Sequence, residues 1–187
     1  PDGSCRMCMV EIENRGRTKM ETACTAQVAE GLVITTNSEK VRNARRNILD
    51  MLLSNHKTDC FSCPSNGDCK LQELCFEYGI ERTTYSGEQT ELPIDDSNKF
   101  FTYNPNLCIL CHRCVNTCHK IVGRGAIDTM ERGFDSAIGT PFHIDWADTN
   151  CESCGNCVQA CPTGALTMKR RKNYRKSKIF SGNYRSE

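Results

Sequence analysis

The sequence predicts an α+β fold made of three consecutive segments, each organised around cysteines. The 187 residues include 15 cysteines, which fall into four groups along the chain. Hydrophobic residues make up 38% of the chain and its mean hydropathy is −0.53, so we expect something besides apolar burial to hold the fold together. Strand-like runs and stretches with helical periodicity both occur, which favours a mixed fold.

Charge, hydropathy and cysteine count exclude several classes of protein. Lys+Arg is 24 and Asp+Glu is 23, a net charge of +1, which excludes a protein that coats nucleic acid with positive charge. No run of about 18 apolar residues exists, so no membrane span is predicted. An odd number of cysteines cannot all form disulfides. Free thiols on this scale favour the reducing cytoplasm.

Residues 1–36 are predicted to form strands joined by polar turns. Met9–Glu13 and Leu32–Thr36 are strand-like runs. Three cysteines belong to this segment: Cys5, Cys8 and Cys24. Together with the stretch Gly3–Glu11, they resemble three of the four ligands of a plant-type [2Fe–2S] ferredoxin site. The resemblance implies a truncated β-grasp domain, with the fourth ligand upstream of Pro1. A degenerate site without a cluster is the alternative.

Residues 37–82 are predicted to form a small helical domain. Ser38 is a suitable N-cap, and an amphipathic helix of about four turns should follow and end near Asn55. Its apolar positions recur at helical spacing: Val41, Ala44, Ile48, Leu49 and Leu52. We expect three arginines to form its solvated or partner-facing side: Arg42, Arg45 and Arg46.

A histidine and three cysteines follow this helix at the spacing H-x3-C-x2-C-x5-C. They are His56, Cys60, Cys63 and Cys69. A lone histidine is usually a surface or helix-end residue, but here three cysteines lack a fourth ligand. The motif resembles the histidine-ligated [4Fe–4S] site of the complex I large iron–sulfur subunit and its relatives. The resemblance implies that His56 is a ligand, and a neutral imidazole in place of a thiolate should raise the cluster's reduction potential.

Cys75 is predicted to be a buried free thiol rather than a ligand. It lies in Asp68–Tyr78, which has the pattern of a helix ending at Gly79. Four residues of this stretch share one helical face: Leu71, Leu74, Cys75 and Tyr78.

Residues 83–103 are polar and aperiodic, and are predicted to be a connecting segment.

Residues 104–169 contain the pattern C-x2-C-x2-C-x3-C twice, at Cys108, Cys111, Cys114 and Cys118 and at Cys151, Cys154, Cys157 and Cys161. Each quartet is followed by a similar stretch, Gly125–Ile127 in the first copy and Gly164–Leu166 in the second, which indicates an internal repeat. Structural zinc normally needs a spacer between two cysteine pairs, so the spacing favours iron–sulfur over zinc.

This repeat resembles the two-cluster bacterial ferredoxin module. The resemblance implies that the quartets exchange their last ligands. One [4Fe–4S] cluster would be bound by Cys108, Cys111, Cys114 and Cys161, and the other by Cys151, Cys154, Cys157 and Cys118. Pro162 matches the family, whereas His119 stands where a proline is usual. We interpret His112 and His119 as solvent-facing residues near the clusters.

Two further segments carry no cluster motif. An insertion over Gly133–Ala147 holds Phe134, Phe142 and the only tryptophan, Trp146, and is expected to pack as a loop over the module. Residues 170–187 are predicted to be a basic tail or linker, since Lys169–Lys178 has seven cations in ten residues. We favour a linker lying along an acidic neighbour over a nucleic-acid-binding tail.

No substrate-converting site is expected within this chain. It has no Walker-type loop, no dinucleotide fingerprint and no nucleophile–base pair, so no catalytic residue is predicted. The order of the sites resembles the complex I-like superfamily over nearly the whole chain. The resemblance implies one [2Fe–2S] and three [4Fe–4S] clusters, which relay single electrons in an NAD(P)-linked oxidoreductase.

The resemblance also implies the partners. They are a flavin-containing subunit that oxidises NAD(P)H, a small [2Fe–2S] subunit, and a catalytic domain or subunit. The segment from Gly125 to Phe142 and the basic stretch look most like the formate dehydrogenase branch. The alternatives are an [FeFe]-hydrogenase, an NAD-reducing hydrogenase or another electron-bifurcating or transhydrogenase subunit. A zinc-binding protein that contacts nucleic acid is a more distant alternative.

Overall fold

The computed structural model describes residues 2–89 and 91–169. The chain begins with an antiparallel three-stranded sheet formed by β1 (Met9–Asn14), β2 (Arg17–Thr22) and β3 (Val33–Thr35). β1 lies between the other two strands, and its Met9, Val10 and Ile12 are buried. The two strands expected at β1 and β3 are confirmed. β2 was not expected, because its sequence is polar and half of its residues remain exposed.

Helix α1 (Glu39–Ser54) confirms the amphipathic helix expected after Ser38. The Ser38 hydroxyl oxygen accepts a hydrogen bond from the backbone N–H of Val41 at 3.2 Å, and Asn55 is the C-cap. Val41 and Leu49 are completely buried on the inner face of the helix. A helix of this length is only marginally stable in isolation. The packing of these buried residues against the rest of the protein therefore stabilises it.

Arg45 fixes α1 to the sheet. Its guanidinium donates to the backbone carbonyl of Met9 from Nε at 3.0 Å and from Nη2 at 2.7 Å. Its Nη1 donates to the hydroxyl of Tyr78 at 3.3 Å. The expectation that Arg45 lies on a solvated or partner-facing side is therefore wrong, whereas Arg42 and Arg46 are exposed. Helical periodicity placed the three arginines on one face. It gives no information about hydrogen bonds that a side chain makes to another strand or helix.

Helix α2 (Lys70–Glu77) lies within the helix predicted over Asp68–Tyr78. Its Leu71 is buried against Leu49 and Leu53 of α1. Three partly buried residues of the predicted stripe pack against this small core: Leu74, Cys75 and Tyr78. The position of Cys75 on a packed helix face is therefore confirmed.

The last part of the described chain is a compact module of short elements. Its strands and helices are β4 (Phe101–Tyr103), α3 (Arg113–Asn116), β5 (Asp128–Met130), β6 (Ala137–Gly139), α4 (Asn156–Ala160) and β7 (Leu166–Met168). α3 continues directly into a π-helical turn, Thr117–Val122. β4 pairs with β7 and β5 pairs with β6, both antiparallel. Because β4 pairs with β7, the end of the predicted connecting segment 83–103 belongs to the module.

Trp146 anchors the insertion to the core of this module. It is only 3% exposed, and its ring lies edge-on to Phe101 and tilted against Tyr103, with centroid distances of 5.1 and 5.4 Å. Its backbone N–H donates to Asp95 Oδ2 at 3.0 Å. Phe142 in the same insertion is 93% exposed. The insertion therefore packs over the module through its tryptophan, as expected.

The membrane and tail predictions have different outcomes. Among residues 2–89 and 91–169, no helix is both long and apolar enough to cross a membrane. The predicted basic tail, residues 170–187, lies outside the described residues.

Replacement of Trp146 by alanine should strongly destabilise the module. A buried tryptophan truncated to alanine costs about 3–5 kcal/mol through lost transfer free energy and the cavity that remains. Chemical denaturation of the cluster-loaded protein, followed by circular dichroism, measures the change. The matched control is Phe142→Ala, which should change stability by less than about 0.5 kcal/mol. Equal effects of the two substitutions would contradict this account of the insertion.

Candidate metal-cluster sites

The two cysteine quartets of the repeat line two separate cavities, and each cavity takes one cysteine from the other quartet. One cavity is lined by Cys108, Cys111, Cys114 and Cys161. The other is lined by Cys118, Cys151, Cys154 and Cys157. The structure thus brings together the same two sets of four that the ferredoxin resemblance implies.

The loops that carry the first three cysteines of each set have the same backbone design. We call them the first repeat loop (residues 108–116) and the second repeat loop (residues 151–159). The backbone N–H two residues after the leading cysteine donates to its sulfur at 3.4 Å in both loops, from Leu110 to Cys108 and from Ser153 to Cys151. Both loops turn through left-handed residues at matching positions, which are Leu110 and His112 in the first loop and Ser153 and Gly155 in the second.

The cysteines contributed by the exchange are held in a related way. The backbone N–H of Ala126 donates to Cys118 Sγ at 3.3 Å. Cys161 Sγ lies 3.4 Å from the backbone carbonyl of Thr163, and the Thr163 hydroxyl donates to the carbonyl of Leu107 at 2.7 Å. Both sulfurs thus have a polar contact to nearby backbone at the cavities they line.

Burial opposes ionisation of these thiols in the absence of metal. It raises the pKa of both Cys108 and Cys157 to about 12, and raises the pKa of Cys114 as well. Metal binding requires the thiolate form, and a bound cation stabilises that form. Buried cysteines gathered around a cavity therefore fit the chemistry of a cluster whose irons supply positive charge.

His56 lies immediately after the C-cap of α1 and is only 7% exposed. Its Nδ1 has no hydrogen-bond partner among the described residues. Burial lowers the pKa of the imidazole, which favours its neutral form. An unpaired buried nitrogen costs about 1–3 kcal/mol, and a neutral histidine nitrogen is a good metal ligand. The residue present therefore fits a ligand role.

The cysteines of the middle loop (residues 56–69) lie against the Cys161 segment. Cys69 Sγ is 3.7 Å from the carbonyl oxygen of Pro162, and the backbone N–H of Lys70 donates to the same oxygen at 3.0 Å. A Cβ atom at Gly164 would lie only 2.8 Å from Cys63 Sγ. Glycine is therefore required at position 164 for this close approach.

The electrostatics of the middle loop agree with this grouping. Burial raises the pKa of Cys60, and the nearby Cys63 and Cys69 raise it further. Burial also raises the pKa of Cys75 to about 11, with a contribution from Cys69. Cys75 lies near this loop but on the apolar face of α2.

The N-terminal loop (residues 2–8) and Cys24 form a fourth site. The backbone N–H of Cys24 donates to Cys8 Sγ at 3.4 Å, and Ala23 N–H donates to the Cys8 carbonyl at 2.9 Å. Cys5, Cys8 and Cys24 line one groove together with Cys111. This site therefore faces the first repeat loop.

His112 is not the solvent-facing residue that the sequence predicted. Its side chain is 29% exposed. Its Nδ1 lies 3.1 Å from Ser4 Oγ and its Nε2 lies 3.1 Å from Thr129 Oγ1. His119, by contrast, is exposed as expected, although its Nε2 lies 2.9 Å from the carbonyl of Ile127.

Asp2 and Asn116 complete the surroundings of His112 and were not identified from sequence. Asn116 Nδ2 donates to Asp2 Oδ2 at 2.9 Å. Burial raises the pKa of the Asp2 carboxyl, but hydrogen bonds from Ser4 and Asn116 and the nearby His112 outweigh it and hold that pKa well below its usual range. The sequence offered one signal for His112 and Asn116, which is that the two copies of the repeat differ there. In the second copy, Gly155 and Gln159 occupy these positions.

The described part of the chain has no site for a single metal ion. Among residues 2–89 and 91–169, no three His, Cys, Asp or Glu side chains are grouped so as to hold one.

Three family models match successive parts of the chain. The 2Fe-2S iron–sulfur cluster binding domain matches residues 1–39. The NADH-ubiquinone oxidoreductase-G iron–sulfur binding region matches residues 45–84. The NADH-quinone oxidoreductase subunit 3 ferredoxin-like domain matches residues 99–167. The three models follow the order of the cysteine sites along the chain.

Two curated relatives resemble almost all of this chain. The NADP-reducing hydrogenase subunit HndD of Solidesulfovibrio fructosivorans is 39% identical over 163 residues, which are 87% of this chain and 28% of the relative. The NADPH-Fe(3+) oxidoreductase subunit alpha of Geobacter sulfurreducens is 41% identical over 169 residues, which are 90% of this chain and 19% of the relative. The chain thus spans between a fifth and just over a quarter of these relatives' lengths.

A solved structure extends the similarity to the fold. The NAD+-reducing [NiFe]-hydrogenase in its H2-reduced state contains a chain that superposes with a TM-score of 0.79 at 31% identity. The match covers 89% of this chain and 70% of that chain. The chain described here therefore belongs to the family of iron–sulfur subunits found in NADH-quinone oxidoreductases and NAD(P)-linked hydrogenases.

Proposed function

We propose that this chain is the electron-relay part of an NAD(P)-linked oxidoreductase complex and binds one [2Fe–2S] and three [4Fe–4S] clusters. The observation that carries the proposal is the pair of four-cysteine cavities in one module, with two further cysteine sites against it. When bound, such clusters accept and donate single electrons. A series of them links a two-electron donor to a distant acceptor.

The proposed ligands follow the spacing of the motifs, and for the paired clusters also the lining of the two cavities. The [2Fe–2S] cluster is bound by Cys5, Cys8 and Cys24 with a fourth ligand upstream of Pro1. The histidine-ligated [4Fe–4S] cluster is bound by His56, Cys60, Cys63 and Cys69. The paired [4Fe–4S] clusters are bound by Cys108, Cys111, Cys114 and Cys161 and by Cys151, Cys154, Cys157 and Cys118. Under this assignment Cys75 binds no iron.

The contacts between sites support a connected path. The middle loop touches the Cys161 segment through the carbonyl of Pro162. The N-terminal loop touches the first repeat loop through Ser4 and His112. Cys161 and the first repeat loop line the same cavity. That cavity therefore stands between the N-terminal site and the middle site.

The proposed partners are a flavin-containing subunit that oxidises NAD(P)H, a small [2Fe–2S] subunit and a catalytic domain or subunit. Two observations bear on the catalytic centre. The segment from Gly125 to Phe142 and the basic stretch favour formate dehydrogenase. A 39% identical NADP-reducing hydrogenase subunit and a hydrogenase structure with a TM-score of 0.79 favour a hydrogenase.

Replacing one exposed ligand should remove one cluster. We expect Cys154→Ala to lower the iron and acid-labile sulfide content of the intact protein by about four each. Cys75→Ala, the matched control, should leave both unchanged. Elemental analysis and the sulfide assay measure the outcome. Loss of zinc rather than iron would overturn the cluster assignment and favour a zinc protein.

Replacing His56 by cysteine should keep a cluster but lower its reduction potential. A thiolate adds a negative charge that the neutral imidazole lacks, and we expect a shift on the order of 100 mV. Redox titration followed by electron paramagnetic resonance measures it. His119→Cys is the control, since this exposed residue is not a proposed ligand. An unchanged potential in His56→Cys would show that His56 does not bind the cluster.

The two candidate catalytic centres predict different electron donors. If the chain serves a formate dehydrogenase, anaerobic addition of formate to the intact complex should reduce the clusters and hydrogen should not. If it serves a hydrogenase, the reverse should hold. Freeze-quenched paramagnetic resonance records the reduction, with NADH and NADPH as donors at the other end. A complex whose clusters are reduced by none of these donors would contradict the proposed relay.

A further inference from the structure

A polar contact joins the N-terminal loop to the first repeat loop. Ser4 Oγ lies 3.1 Å from His112 Nδ1, and Asn116 Nδ2 bridges to Asp2 Oδ2 at 2.9 Å. Ser4 directly precedes Cys5, and His112 directly follows Cys111. The contact therefore links two residues that are each next to a proposed ligand of a different cluster.

The hydrogen positions in this contact follow from the geometry. Ser4 Oγ donates its only hydrogen to Asp2 Oδ1 at 2.7 Å, so it can only accept from His112. His112 Nδ1 therefore carries a hydrogen and donates it to Ser4. The same nitrogen lies 3.4 Å from Asp2 Oδ2, where a donor is also favourable. Thr129 Oγ1, 3.1 Å from Nε2, holds the far side of the ring.

The two repeat loops differ in the residue at this turn. His112 has φ of 58°, in the left-handed region, and Gly155 at the equivalent position of the second repeat loop has φ of 76°. A residue with a side chain is more strained than glycine in this conformation. The first repeat loop has histidine at this position, although Gly155 of the second repeat loop shows that glycine fits there. The bonds of the imidazole to Ser4 and Thr129 are what glycine could not provide.

Asn116 holds the backbone of the same turn. Its Nδ2 donates to the carbonyl oxygen of His112 at 3.0 Å as well as to Asp2, and its backbone N–H donates to that carbonyl at 2.9 Å. The turn, the ring and the N-terminal loop are thus fixed by one connected network of hydrogen bonds. Such networks hold geometry more firmly than separate bonds do.

We propose that His112 is a positioning residue that holds the N-terminal loop against the first repeat loop and so sets electron transfer between the two cluster sites. The proposal rests on the proposed function, because it assumes that both sites carry clusters. One electron leaves one site and enters the other, and no bond is made or broken and no proton moves. His112 acts through Ser4 and through the Cys111 turn, without binding iron itself.

The test uses the intact protein and the substitution His112→Gly, which suits the left-handed backbone and removes only the imidazole contacts. The matched control is His143→Gly. His143 also has a positive φ, of 56°, but its ring bonds only Glu131 at 2.9 Å among the described residues, and it is exposed. Ser4→Ala is a second variant that removes the acceptor without touching the repeat loop.

Two measurements decide the outcome. Amide hydrogen exchange of residues 2–8 should become about tenfold faster in His112→Gly and Ser4→Ala, as expected for loss of a hydrogen bond worth about 1.4 kcal/mol. The relaxation enhancement of the reduced [2Fe–2S] signal by the neighbouring paramagnetic cluster should be lost in both variants. Iron content should stay at the wild-type value, and His143→Gly should behave as wild type in every measurement.

The results separate this proposal from the proposed function. Unchanged exchange and unchanged relaxation in both variants would overturn the role of His112. Faster exchange with unchanged relaxation would also overturn it, because the contact would then be structural only. A wild-type protein without a [2Fe–2S] signal would instead overturn the proposed function at that site, and the exchange result would still report on the contact.

Discussion

Buried sulfur is the constraint on which the rest of this structure depends. Cys114 and Cys157 belong to the same buried core as Phe101, Tyr103 and Trp146, so the apolar core and the proposed cluster ligands share one space. Burial holds these thiols in their neutral form until a cation compensates for their charge. Cluster binding would therefore complete the core, and loss of iron should loosen the packing around Trp146 as well as the loops.

The repeat shows how one loop design serves two surroundings. Both repeat loops place an N–H on the sulfur of the leading cysteine and turn through two left-handed residues. The second loop uses Gly155 for the second of these turns, which costs little. The first loop uses His112, whose ring reaches the N-terminal loop. The two repeat loops therefore differ at the position where the first loop contacts the N-terminal site.

Spacing and periodicity predicted what depends on nearby residues. Of the long-range features, the exchange of Cys118 and Cys161 came only from the ferredoxin resemblance, and others were missed. The spacing of the cysteines, the Ser38 cap and the apolar stripe of α2 are local, and each matches the structure. The hydrogen bond between Ser4 and His112 joins residues 108 positions apart, which periodicity cannot indicate. β4 has three residues and gains its stability from pairing with β7. Arg45 was misassigned because its guanidinium reaches the carbonyl of Met9 on another element.

As a proposed cluster ligand, His56 would reduce the crowding of negative charge in this chain. The middle loop lies so close to the Cys161 segment that Gly164 leaves no room for a side chain beside Cys63. Two anionic sites in contact repel each other, and the repulsion grows as water is excluded. A neutral imidazole in place of a fourth thiolate removes one negative charge from the site that shares this contact. Burial lowers the pKa of His56, which favours the neutral form of the ring that the proposed ligand role requires.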